Sequence, residues 1–211
     1  MSGSRLPELP VNRIMVGDVV DQLRRLPEAS IDTVVTSPPY FALRDYQVEG
    51  QLGQEASIDE WVANLRAAMA EVARVLKPGG SLWLNVGDSY SRHVRQGALA
   101  KSLLLGPERL LLALAEDSWR ARSKVIWVKR NPLPSSVRDR PSSVWEPLYL
   151  LTRDKDYFYD ADLVRQPAAS RPLTPQRTQR PTKYSVSGGR RPAWSGPLAG
   201  TNSGLAQLKA R

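Results

Sequence analysis

Residues 31–40 read Ile-Asp-Thr-Val-Val-Thr-Ser-Pro-Pro-Tyr, and this stretch decides the fold. Ile31 to Thr36 is a β-branched, nearly continuous run, as expected of a strand buried on both faces of a sheet. It stops abruptly at Ser37-Pro38-Pro39-Tyr40. Two prolines can neither donate to a strand ladder nor open a helix cleanly. A buried strand with a stiff polar tip points to an open α/β sheet, whose ligands gather at the carboxyl ends of its strands.

The flanking sequence supplies the remaining elements. Upstream, Arg13 to Val16 reads as a strand stopped by Gly17-Asp18, and Val19 to Leu26 as a short amphipathic helix closed by Pro27. Downstream, a loop spans Phe41 to Ala56. Ser57 is a good N-cap with Glu60 three residues on, the spacing of a capping box. A helix is predicted from Ile58 to Leu76, with Trp61, Leu65, Ala68, Met69, Val72 and Val75 at helical spacing, ended by Lys77-Pro78-Gly79-Gly80. Ser81 to Val86 reads as a strand closed by Gly87-Asp88, and Pro107 opens a helix running to Trp119. Lys124–Lys129 and Val144–Thr152 read as two further strands, an antiparallel pair at one sheet edge. The β-α-β-α-β order predicts an α/β fold with a doubly wound, mostly parallel sheet.

Composition limits the function classes. With 41% hydrophobic and 24% charged residues, the 211-residue chain has a globular balance. No run approaches the ~18–20 apolar residues of a membrane span, and the first residues lack a signal peptide's apolar core, so a cytoplasmic location is expected. The absence of cysteine excludes disulfides, thiolate metal sites and a cysteine nucleophile. No metal ligand set is read, and His93, the lone histidine, reads as a surface residue.

The net charge of +9 is unevenly placed. Residues 163–211 carry nine Lys or Arg and no acid, leaving 21 basic and 21 acidic residues in 1–162. From Pro167 onward Pro, Arg, Ser, Thr and Gly dominate without periodicity. The reading is therefore a domain over 11–166 and a basic target-recognition or flexible segment over 167–211. Arg165, Arg171, Arg177, Arg180, Lys183, Arg190 and Arg191 are its candidate contacts to a polyanion. A solvated tail is the alternative.

Thr36-Ser37-Pro38-Pro39-Tyr40 after Ile31–Val35 resembles the catalytic motif of the DNA amino-methyltransferases. The likeness extends to RIMVGDVVDQLRRLPEASIDTVV before it, and to VLKPGGSLWLNVGDSYS and SWRARSKVIWVKRNPLP after it. The arrangement is similar to the permuted β class, over about residues 11–166. The resemblance implies the Rossmann-like fold of S-adenosylmethionine-dependent methyltransferases, S-adenosyl-L-methionine as cofactor and DNA as substrate, in the setting of restriction and modification. It implies that Ser37, Pro38, Pro39 and Tyr40 are catalytic, and that Asp18, Thr36 and Ser37 border the cofactor. It places Asp88, Ser89, Tyr90, Lys129, Asn131 and Pro132 around the base.

The chemistry explains these residue types. An exocyclic amino nitrogen is a poor nucleophile, because its lone pair is delocalised into the ring. Acceptors gripping both amino hydrogens, which the resemblance implies are the Ser37 side chain and the Pro38 carbonyl, free that pair, and a stiff loop holds them preorganised. Tyr40 would stack on a base flipped out of the duplex. In the family it resembles, serine at the head of the motif leans toward cytosine N4 and aspartate toward adenine N6, so the resemblance implies cytosine N4 ahead of adenine N6. One departure stands out: the family's phenylalanine- and glycine-rich loop for the methionine end of the cofactor is not recognisable. The resemblance thus implies a fold incomplete at its C-terminus, either a truncated product or one half of a split enzyme whose second polypeptide or protomer supplies the loop. Alternatives are a catalytically impaired DNA-binding module and, further off, a methyltransferase acting on RNA or on protein glutamine.

Overall fold

The computed structural model describes residues 9–132 and 135–165, in which β1 is Ile31–Thr36, β2 Leu76–Asn85, β3 Arg120–Val128 and β4 Trp145–Thr152. They form one sheet in the order β1-β2-β4-β3. β1 and β2 are parallel, while β4 runs antiparallel to both β2 and β3. The fold is α/β with a mixed sheet, and β3 and β4 are the antiparallel pair expected at one edge.

The helices are α1 (Val19–Arg24), α2 (Ile58–Val75), α3 (Gly106–Glu116) and the short α4 (Ala161–Val164). α2 forms where its caps and periodicity place it. Ser57 accepts from the Glu60 amide at 3.3 Å, and Ile58, Trp61, Leu65, Ala68, Met69, Val72 and Val75 are buried. Each large apolar side chain so buried contributes about 1.5–3 kcal/mol. This face packs on Leu82 and Leu84 of β2, Tyr149 and Leu151 of β4, and Leu110 and Leu114 of α3. Arg66 of α2 forks onto Asp117 at 2.5 and 2.6 Å, tying α2 to the end of α3.

Three expectations are corrected. Arg13–Val16 is not a strand: Ile14 is 93% and Val16 87% exposed, since no strand among the described residues lies beside them to complete a ladder. β1 is not buried on both faces, as Val35 is 75% exposed. Val35 pairs in register with Trp83, and α1–α3 pack on the opposite face, so one layer of the doubly wound arrangement is present here. The strand expected to begin at Ser81 begins at Leu76, because α2 passes directly into β2, and its pairing with β1 shifts register between Ile31 and Thr33. Among the described residues no helix is long and apolar enough to cross a membrane.

Candidate active site

The tip of β1 opens into a cavity of about 1020 Å³. Ser37, Pro38, Pro39 and Tyr40 form one wall, and Gly87, Asp88, Tyr90, Lys129, Arg140, Trp145 and Glu146 contribute to the others. The motif loop is fixed from behind. Phe41 is buried in the core, and the Trp61 indole N–H donates to the Pro39 carbonyl at 3.0 Å. The Pro38 carbonyl accepts from no group among the described residues and so keeps its lone pairs for a ligand.

Ser37 and Tyr40 converge on two residues that the sequence reading missed. Ser37 Oγ donates to Asn85 Oδ1 at 3.4 Å, and the Tyr40 hydroxyl approaches Asn85 Oδ1 at 3.1 Å and Glu146 Oε2 at 2.9 Å. Asn85 is held in turn by donating to the Pro147 carbonyl at 3.0 Å. Glu146 also ion-pairs with Lys129. Burial above all raises the Tyr40 phenol above its ordinary value, and the Glu146 carboxylate adds to this. Gly87 makes the ring's seat: a Cβ there would come within 2.6 Å of Tyr40 Cε2. Both missed residues carried a signal, since Asn85 and Glu146 are polar side chains inside apolar strand runs, where an unpartnered polar group is costly.

The other expected site residues divide. Tyr90 and Lys129 line the cavity. Asp88 lines it too, but its carboxylate also caps α3, accepting from the Leu105 and Gly106 amides at 3.0 and 3.1 Å. Burial raises its pKa, partly offset by those amides. Ser89 turns away and donates to the Phe41 carbonyl at 2.9 Å. Asn131 and Pro132 are not among the lining residues. Trp127, on β3, is 56% exposed and does not line the cavity. Asp18 also lies off the cavity: its Oδ1 caps α1, accepting from Val20 and Asp21 at 2.9 and 3.1 Å. Thr36 ends β1, half-buried beside the loop. His93 is exposed. Arg165 is described and exposed, while Arg171, Arg177, Arg180, Lys183, Arg190 and Arg191 lie outside the described residues. Among the described residues no cluster of side chains is suited to hold a metal ion.

Comparison with known proteins agrees with this geometry. The chain is 45% identical over 163 residues to the type II methyltransferase M.SfiI of Streptomyces fimbriatus, covering 73% of this chain and 39% of that one. It is 37% identical over 192 residues to M.Cfr9I of Citrobacter freundii, covering 81% and 64%. It thus spans less than two thirds of the length of these relatives. Among solved structures, PvuII DNA methyltransferase (cytosine-N4-specific) superposes with a TM-score of 0.54 at 23% identity, over 69% of this chain and 50% of that one. A Thermus thermophilus protein, described as a candidate DNA modification methylase and complexed with S-adenosyl-L-methionine, gives 0.52 at 24%, over 70% and 56%. These two likenesses establish the fold. The family profile described as DNA methylase matches residues 31–187, beginning at the first residue of β1 and running through the whole cavity wall, so this chain belongs to the N6/N4 DNA methylase family.

Proposed function

We propose that this chain carries the base-binding part of a DNA methyltransferase that methylates an exocyclic amino group, cytosine N4 in preference to adenine N6. One observation carries the reading: Ser37 and Pro38 line the cavity side by side, Ser37 Oγ can donate to Asn85 Oδ1 at 3.4 Å and so accept in turn, and the Pro38 carbonyl accepts from no group among the described residues. Two fixed acceptors so placed can grip both hydrogens of an amino group. The nitrogen lone pair would then be free to attack: with a methyl donor bound beside it, a C–N bond would form as the donor's S–CH₃ bond breaks, and one amino proton would pass to solvent. Tyr40, seated on Gly87 and anchored by its hydroxyl, offers its ring to the base. The preference for cytosine rests on Ser37 at the head of the motif.

S-adenosyl-L-methionine would supply the electrophilic methyl group. Thr36 and Ser37, at the end of β1, are the residues proposed to border it. Asp18 fits this role less well, because Oδ1 is committed to α1. Among the described residues nothing pairs with the outer edge of β1. That edge favours a second reading, in which another polypeptide or protomer pairs there and supplies the glycine-rich loop. Without that loop the chain alone should bind the cofactor weakly and act mainly as a DNA-binding module, which calorimetry on the purified chain would test. Tight binding would place the cofactor elsewhere.

The basic residues Arg165 to Arg191 are proposed to contact phosphates. If roughly four to seven engage, log affinity should fall with log salt at a slope of about −4 to −6. Deleting residues after Gln166 should remove most of that slope.

The deciding measurement is transfer of labelled methyl from S-adenosyl-L-methionine to DNA, followed by nucleoside analysis. Ser37→Ala should slow transfer by about 10²–10³, as for loss of one preorganised hydrogen-bonding group. The label should appear as N4-methylcytosine. Unchanged transfer in Ser37→Ala would remove this loop from the active site.

A further inference from the structure

The cavity is larger than one base requires, since about 300–1,000 Å³ holds a drug-sized ligand. Its walls carry four aromatic rings, Tyr40, Tyr46, Tyr90 and Trp145; the resemblance sets Tyr90 around the base, and the transfer proposed above uses only Tyr40. Among the lining residues, the Arg140 guanidinium carbon lies over the Tyr90 ring, 3.6 Å from its centroid. Tyr90 is held in place by a backbone bridge to Leu103.

Arg140 forms no ion pair among the described residues, and its hydrogen bond is a 3.4 Å contact to the neighbouring Pro141 carbonyl. Arg44, also on the cavity wall, likewise forms no ion pair there. A guanidinium with one face on a ring keeps its other face for stacking and its N–H edge for a phosphate. The cavity wall is mixed in charge, with Asp88, Glu108 and Glu146 beside Arg44, Lys129 and Arg140, and Asp139 lies within electrostatic reach of Arg140. Aromatic rings interleaved with arginines are how proteins hold single strands, because unpaired bases expose both faces whereas duplex bases do not.

We propose that the Tyr90–Arg140 stack is a second nucleotide-binding element that holds the unpaired nucleotide next to the one taken by Ser37–Tyr40, so that this chain binds single-stranded DNA through its cavity. Arg140 and Tyr90 are positioning residues here, since neither reaches the reacting atoms. The inference rests on Ser37–Tyr40 being the base pocket.

The test is fluorescence anisotropy of the full chain with a labelled single strand of about six nucleotides, within the range of single-strand sites. Tyr90→Leu should weaken binding by about 5- to 150-fold, the equivalent of one lost base stack, while Tyr90→Phe should bind as the parent does. Arg140→Lys should weaken binding and leave the salt slope unchanged. Arg140→Gln should also make the slope shallower by about 0.7, one phosphate contact on a single strand. Parental affinity in both Tyr90→Leu and Arg140→Gln overturns the proposal. If Tyr90→Leu fails to fold, the two Arg140 variants, altered on a loop side chain, decide the matter alone. Weakened binding in these variants, with methyl transfer indifferent to Ser37→Ala, keeps the rim and removes the catalytic reading. The reverse pattern removes the rim and keeps the catalytic reading.

Discussion

The two faces of the sheet carry similar side chains and meet different fates. On β2, Leu84 is 1% exposed beneath α2 and α3, while its neighbour Trp83 points the other way, in register with the largely bare Val35. Val125 and Trp127 of β3 continue that second face, and none of α1–α3 crosses it. Alternation along a strand sends successive residues to opposite faces, so a strand that is apolar on both is suited to two layers. Here one layer supplies the packing. The contrast separates what stabilises these described residues from what is offered to something else.

The sharpest way to break the contrast is to truncate each face. Leu84→Ala should lower stability by about 2–5 kcal/mol in urea unfolding, because the buried site would keep a cavity. Should it cost no more than a surface change, the helical layer is not the core.

Next in size are the two carboxylates at helix starts. Asp88→Ala and Asp18→Ala should each cost about 0.5–2 kcal/mol through loss of the caps on α3 and α1. Asp88 adds a pH signature. Burial raises its folded-state pKa, so the parent should lose stability relative to Asp88→Asn as pH rises from the ordinary carboxylate value through the raised one. A difference that does not change with pH would mean Asp88 is solvated.

A smaller effect of opposite sign is expected at Asp117. The Arg66 guanidinium holds its pKa below the usual value, so its contribution should be present above the ordinary carboxylate range and fade as pH falls through the lowered one. The pair is half-exposed, and Asp117→Asn should shift the melting temperature only slightly. A large shift would mean the link from α2 to α3 is central to the covered side.

The smallest effect belongs to the bare face, where Val35→Ala should change stability by no more than about 0.5 kcal/mol. A loss matching Leu84→Ala would show that a second layer covers Val35 in solution. The same substitution should become costly once a partner docks on that side.

Some of this is legible in the residues. Ile31–Thr36 is a strand over the bounds its β-branched run predicts, and α2 begins at Ser57 because the N-cap and the capping-box spacing act within a few residues. The wall of Ser37–Tyr40 is readable for the same local reason. Asp18 and Asp88 read as ligand contacts; both are bonded as helix caps and Asp88 also lines the cavity, since a carboxylate after glycine has the same sequence in either role. Arg13–Val16 misleads because four apolar or extended residues say nothing about whether a strand lies beside them.

The sequence by itself determined the order of elements from α1 to β4, the position of the stiff motif at the tip of β1 and, through the motif, the family. Those features depend on φ restriction, capping and periodicity, which act over short distances along the chain. Only the tertiary structure decided that Glu146, 106 residues from Tyr40, receives its hydroxyl. It also decided that Arg140 stacks on Tyr90, and that Val35 stands bare while Val34 packs against the core. Such contacts depend on which strands become neighbours, and long-range strand pairing leaves no mark in the local sequence of either partner.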